Sequence, residues 1–169
     1  MDDDRKGLSY LLAALKHMYK ENPASADKIE VIIFGQIKNE MDLQLPFVIH
    51  PIGYVRGDNQ LVDMYNCADL FIIPSLEDNL PNTIMEAMAC GVPCVGFRTG
   101  GIPEMIDHQI NGYVAEMRNS EDLANGICWV ARLSATPILS GNAVQKVHAS
   151  YSEALIAQRY NTLYQKLLL

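Results

Sequence analysis

Two apolar runs, Leu70-Phe71-Ile72-Ile73 and Val92 to Phe97, flank a stretch patterned as a loop and then a helix. No other part of the chain restricts the fold as strongly. Each run reads as a fully buried strand. The first breaks at Pro74 into a short polar loop, and the second ends at Thr99-Gly100-Gly101. Between them Ile84, Ala87 and Met88 fall at i, i+3 and i+4, Pro81 suits a first helical turn, and Gly91 with Pro93 supplies a stop. Strand, loop, helix and strand in succession predict an open parallel sheet.

In such a sheet ligands bind beyond the carboxyl ends of the strands, and here the loop after Ile73 lies there with a helix N-terminus aimed at it. The amides of Asn82, Thr83, Ile84 and Met85 are candidate donors to an anionic group, with the helix dipole adding a favourable field. Asp78 in the loop and Glu86 in the helix could grip sugar or ribose hydroxyls, because an ionised carboxylate only accepts hydrogen bonds and hydroxyls donate them. Spacing alone leaves plain structural roles open for both. A glutamate early in a helix is stabilising through the dipole without any ligand, and Asp78-Asn79 is ordinary turn chemistry.

Helix and strand patterns alternate through the remainder. Leu8, Leu11, Leu12, Leu15, Met18 and Tyr19 predict an amphipathic helix capped by Asp4. Lys6 at its start is either a phosphate ligand or a solvated surface lysine. Ile29 to Phe34 reads as a strand closed by Gly35, and residues 36–46 as a weakly patterned connection with a short helical turn before Pro46. Phe47 to His50 and Ile52 to Val55 read as two extended pieces around Pro51. A helix from Asp58 through Leu61, Met64, Tyr65 and Ala68 leads into the central block. After it come a short helix over Ile102 to Ile106, a small strand over Gly112 to Ala115, and a helix capped by Ser120. Residues 134–142 read as a loop holding Pro137 and Gly141, and Ile156, Tyr160, Leu163 and Leu167 as the apolar stripe of a closing helix.

The sum is an α/β fold, a Rossmann-like parallel sheet flanked by helices, in one domain over residues 1–169. Half-folds of this kind normally start on a strand near the middle of the sheet. This sequence starts on a helix, so the first strand is expected to be missing.

The formal charge of −7 and pI near 5.0 argue against nucleic acid or a polybasic membrane contact and favour a small partner. Cys67, Cys90, Cys94 and Cys128 form no C-x-x-C pair, and the four histidines show no metal-ligand spacing, so reduced thiols and no metal are expected. No secretory signal and no apolar run of membrane-spanning length stands in the sequence. A cytoplasmic protein is the expectation.

The central block, "PSLEDNLPNTIMEAMACGVPCV", with "TGGIPEMI" and "NGYV" after it and "DMYNCADLFIIPS" before it, resembles the donor half of the family-4 (group 1) retaining glycosyltransferases of the GT-B fold. "DRKGLSYLLAAL" resembles that family's lysine-bearing helix start and "YSEALIAQRYNTLYQKLL" its closing helix. The resemblance implies half of a GT-B fold, the carboxyl-terminal domain that binds a nucleotide diphosphate-sugar donor. Aligned on "LPN", Asp78 and Glu86 match the family's two acidic residues, Glu86 without change and Asp78 in place of a glutamate. Glu86 is then implied to hold the ribose, Asp78 the donor sugar, and Lys6 the diphosphate. Asn79-Leu80 replaces the family's Gly-Phe; with Pro81, Asn82 and Thr83 it completes the donor loop, and the base is implied to lie near Gly53, Tyr54, Val55 and Arg56. No metal or other cofactor is implied.

The resemblance further implies that an acceptor-binding amino-terminal domain is absent, that the isolated chain is inactive, and that the sequence is a truncated piece of a longer chain or a gene fragment. A membrane-peripheral position would come through the absent domain. Loss of a central strand would expose neighbouring edges to intermolecular pairing. Two alternatives stand beside retaining transfer to a hydroxyl acceptor in polysaccharide or glycoconjugate synthesis: a non-catalytic nucleotide-sugar-binding module of a split or degenerate enzyme, and part of a GT-B nucleotide-sugar epimerase.

Overall fold

The computed structural model describes residues 4–35 and 45–168. Five short strands alternate with helices. They are α1 (Leu8–Glu21), β1 (Glu30–Phe34), β2 (Val48–Gly53), α2 (Asp58–Asn66), β3 (Phe71–Ile73), α3 (Asn82–Ala89), β4 (Cys94–Phe97), α4 (Ile102–Met105), β5 (Gly112–Ala115), α5 (Ser120–Leu133), α6 (Pro137–Tyr151) and α7 (Glu153–Leu167). Short 3-10 turns cover Asp4–Lys6 and Pro23–Lys28. The helical turn expected before Pro46 falls mostly on 36–44, outside the described residues.

Every strand pairing among the described residues is parallel. The strands form two sheets rather than one continuous sheet, β1-β2 and β3-β4-β5. Among the described residues nothing is hydrogen-bonded as a strand between β1 and β3, and a cleft of about 2100 Å³ separates them. That is the place where a Rossmann-like half-fold carries its first strand.

Strand β4 is the buried centre, and its side chains alternate between two cores. Val95 and Phe97 pack with Ala14, Leu15, Leu123 and Ile127 under α1 and α5. Cys94 faces the other way, into Ile84, Met88, Ile102 and Met105 under α3 and α4. Helices therefore cover both faces. Helix α1 starts beside the carboxyl end of β3, where the Leu76 amide donates to the Arg5 carbonyl at 2.6 Å, and packs along α5.

Several local expectations change. Gly7, not Asp4, is the N-cap residue of α1, with Asp4 inside the preceding turn. Pro51 lies within one continuous strand, β2, which tolerates it as an edge strand whose one partner among the described residues is β1. Asn119 caps α5 in place of Ser120, accepting from the amides of Glu121 and Asp122. The supposed loop at 134–142 is mostly helix: Pro137 opens α6, and Leu139 and Ala143 bury one of its faces. Helix α7 buries none of its residues, and Tyr160, Leu163, Tyr164 and Leu167 are exposed. Among the described residues no helix is long and apolar enough to cross a membrane.

Candidate functional site

The loop between β3 and α3 is held from two sides by backbone packed too closely for side chains. Gly7 has φ 64° and lies against the Pro74 carbonyl, so a Cβ there would be strained and would overlap that oxygen. This contact and the Arg5–Leu76 bond dock the start of α1 onto the loop. On the other side Gly100, at φ 49°, packs in the same way against the Asp78 carbonyl, and the Thr99 hydroxyl donates to the Leu76 carbonyl at 2.9 Å. The loop is thus fixed before any ligand arrives.

Docking α1 brings Lys6 Nζ to 3.3 Å from Asp78 Oδ2, a pair separated by 72 residues in sequence. The ammonium side is 64% exposed and the carboxylate only 19%, so the charge of Lys6 faces open solvent above a held anion. Asn79, Leu80 and Asn82 are exposed on the same loop, Pro81 is buried and Thr83 lies between.

At the start of α3, Pro81 is an extended N-cap with no side-chain cap. The Ile84 amide donates back to the Pro81 carbonyl at 3.1 Å, which corrects its expected role as a donor to an anion. Met85, one residue on, falls within the helix's own i to i−4 ladder. Asn82 and Thr83 sit in the first turn, where the helix itself offers their amides no acceptor.

Glu86, half-buried one turn into α3, accepts a 3.0 Å hydrogen bond from the Tyr65 hydroxyl on Oε2. Tyr65 is buried among Phe34 and Phe71, with ring centroids at 6.2 and 5.7 Å. Burial, and then the Glu86 charge, push its phenol far above the ordinary range. It therefore stays a neutral donor. The Cys90 thiol on the same helix is also pushed up, first by burial and then by Glu86.

Gly53 ends β2, and Tyr54, Val55 and Arg56 follow it on the far side of the cleft, on a different loop from Asp78. Gly53 has φ 72°, Tyr54 is 82% exposed, and the Arg56 amide donates to Gln60 Oε1 at 3.4 Å. The structure thus brings Lys6 directly to Asp78 and sets both beside the α3 N-terminus, while the 53–56 loop stands apart. Among the described residues no three His, Cys, Asp or Glu side chains gather where a metal ion could be held. One ammonium, two first-turn amides and two carboxylates at a carboxyl edge can receive a ligand that combines an anion with hydroxyls.

Sequence reasoning did not single out Tyr65, Gly7, Thr99 or Gly100 for the site. Gly7 carries a signal, a glycine directly after Lys6 at a helix start. Tyr65 carries none, since it reads as one more apolar position of α2 and meets Glu86 only through packing.

Comparison with known proteins finds a family for the chain. The family model described as glycosyl transferases group 1 matches residues 1–132. The D-inositol 3-phosphate glycosyltransferase of Saccharomonospora viridis is 28% identical over 82% of this chain and 35% of its own length. The N,N'-diacetylbacillosaminyl-diphospho-undecaprenol alpha-1,3-N-acetylgalactosaminyltransferase of Campylobacter jejuni is 27% identical over 98% of this chain and 46% of its own. The chain thus spans less than half the length of these relatives. Among solved structures, Anabaena HepE in complex with UDP superposes with a TM-score of 0.79 at 22% identity, covering 97% of this chain and 46% of that one.

Proposed function

The chain belongs to the group 1 glycosyltransferases, and on that premise we propose that it is the donor-binding part of a glycosyltransferase that transfers a sugar from a nucleotide diphosphate-sugar to a hydroxyl acceptor with retention at the anomeric carbon. The observation that carries this reading is the docking of Lys6 onto Asp78 beside the first turn of α3, which gathers a cation, amides and carboxylates from distant parts of the sequence.

In this reading the diphosphate lies over the α3 N-terminus, with the Asn82 and Thr83 amides and Lys6 taking up the charge that develops as the sugar leaves. Preorganised donors of this kind lower a barrier because they need no reorganisation during the reaction. The diphosphate replaces Asp78 as the counter-ion of Lys6, freeing the Asp78 carboxylate to orient the sugar hydroxyls. Glu86 accepts from the ribose hydroxyls through the oxygen that Tyr65 does not occupy. The loop Gly53-Tyr54-Val55-Arg56 closes over the base. No metal takes part. The acceptor site lies on sequence outside these residues, as it would in the roughly twofold longer relatives, so the chain alone binds donor without transferring it. The product belongs to glycoconjugate or polysaccharide synthesis, a reading supported by relatives such as the Campylobacter jejuni N-acetylgalactosaminyltransferase.

The test is calorimetric titration of the folded chain with UDP, GDP and ADP, each with and without magnesium. UDP heads the series because a protein of this fold was crystallised with it. Metal-independent binding of one diphosphate, weakened at least about tenfold in Lys6→Ala and in Glu86→Ala, is the expected result. Binding that is unchanged in both variants would overturn these residue roles, and a folded chain that binds no diphosphate would overturn the reading.

A further inference from the structure

We propose that Thr99 is a positioning residue of the donor site: through the Leu76 backbone it sets Lys6 over Asp78, and so aims the ammonium at the diphosphate. This role rests on the donor-binding reading above and belongs to a side chain that touches no ligand. It gives a task to the "TGGIPEMI" stretch, which the proposed chemistry leaves unused.

Both partners of the ion pair hang on one residue. The Leu76 amide donates to the Arg5 carbonyl at 2.6 Å, and Lys6 directly follows that carbonyl. Asp78 stands two residues beyond Leu76, and its Oδ2 lies 3.3 Å from Lys6 Nζ. Backbone bond and ion pair thus close a small ring. The Leu76 carbonyl in turn accepts the Thr99 hydroxyl at 2.9 Å, so the ring is tethered through that oxygen.

Thr99 is itself tied to the buried centre. Its amide donates to the carbonyl of Phe97, a fully buried residue of β4, at 2.8 Å. Its own carbonyl accepts at 3.1 Å from the amide of Ile102, the buried first residue of α4. The hydroxyl therefore carries the position of a packed strand out to a pair whose cation is 64% exposed. An exposed lysine has several rotamers to lose on gripping a ligand, so affinity depends on where its backbone is held.

The neighbouring glycines hold the loop by shape. Gly100 meets the Asp78 carbonyl and Gly101 the Asn79 carbonyl, each so closely that a Cβ would overlap the oxygen. Such contacts set a distance of approach, whereas a hydrogen bond is directional and also fixes which atom lies opposite which. Thr99 supplies that bond. Glu86 is held separately, by the Tyr65 hydroxyl, so a change at Thr99 reaches the site by way of Lys6.

The experiment is calorimetric titration of the whole chain with UDP, GDP and ADP in two variants. Thr99→Val keeps the β-branched shape and removes the hydroxyl, while Thr99→Ser keeps the hydroxyl. Thr99→Val is expected to weaken diphosphate binding by about threefold to tenfold, the range of one neutral hydrogen bond, and Thr99→Ser to restore most of it. Added to Lys6→Ala, Thr99→Val is expected to cost little more; added to Glu86→Ala, the two losses are expected to multiply. Without ligand, amide exchange followed by NMR is expected to quicken at Leu76 at least about tenfold in Thr99→Val, with Val95 and Phe97 unchanged. Wild-type affinity in Thr99→Val, no recovery in Thr99→Ser, multiplied losses with Lys6→Ala, or unchanged exchange at Leu76 would each overturn the proposal. Lost protection at Val95 and Phe97 would do so too, by making Thr99 a residue of the core fold. No diphosphate binding by the wild-type chain would instead overturn the donor reading and the ligand half of the proposal, while exchange at Leu76 still decides whether Thr99 holds the loop.

Discussion

Glu86 is fixed by a residue that its own neighbourhood in sequence does not supply. The Tyr65 hydroxyl, 21 positions away, occupies Oε2 and leaves the other oxygen for a ligand. Removing the carboxylate in Glu86→Ala is expected to weaken diphosphate binding by about 1.5 to 3 kcal/mol, the range for hydrogen bonds to a charged group. Tyr65→Phe keeps the ring in its aromatic cluster and deletes only the donor. It is expected to weaken binding severalfold in calorimetry while Glu86→Ala and the double variant bind alike, because the phenol acts through the carboxylate. Additive losses would mean that Tyr65 touches the ligand itself, and no loss at all would reduce it to a core residue. Asp78 and Glu86 could be singled out because the central block carries its own punctuation, and Lys6 because "DRKGLSYLLAAL" resembles a known helix start. Tyr65 could not, because its polar tip hides in the apolar period of α2 and finds its partner only once α2 and α3 pack.

Among the elements, the misread boundaries share one cause: a local signal outweighed by where the segment packs. Pro137 and Gly141 suggest a loop, yet proline is well placed at the opening of a helix, Ala143 anchors α6 in the core under α3, and Leu139 is buried in the core under α1 and α5. Pro51 splits a strand on propensity grounds, yet an edge strand loses little by lacking one donor. Ser120 is a good cap by type, but Asn119 stands one residue earlier in extended backbone with its side chain on two amides. Asp122, whose amide it caps, in turn accepts from the Tyr113 hydroxyl at 2.8 Å and the Glu116 amide at 2.7 Å, tying α5 to β5. Asn119→Ala is expected to cost about 1 kcal/mol, seen as a lower midpoint in urea unfolding at unchanged slope. Ser120→Ala is expected to cost much less. Equal losses would return the cap to Ser120.

At the scale of the molecule, the two sheets differ in how they are held. Strand β4 lies between β3 and β5 with all four residues buried and a core on each face. Among the described residues the β1-β2 pair has no strand beyond β1, and most of β2 is exposed. A two-stranded sheet is marginal on its own, so β1 and β2 depend on contacts of residues such as Ile29 and Val31 with the α1 and α5 core. The helix-strand alternation was readable in the sequence. It could not reveal this division, because each strand of the pair has an adequate pattern by itself. Native-state hydrogen exchange is expected to find the amides of Val95 and Phe97 opening only with global unfolding, and those of β1 and β2 opening together at a clearly lower free energy. If both sets instead exchange at one free energy, α1 couples the sheets strongly enough that they unfold as a single unit.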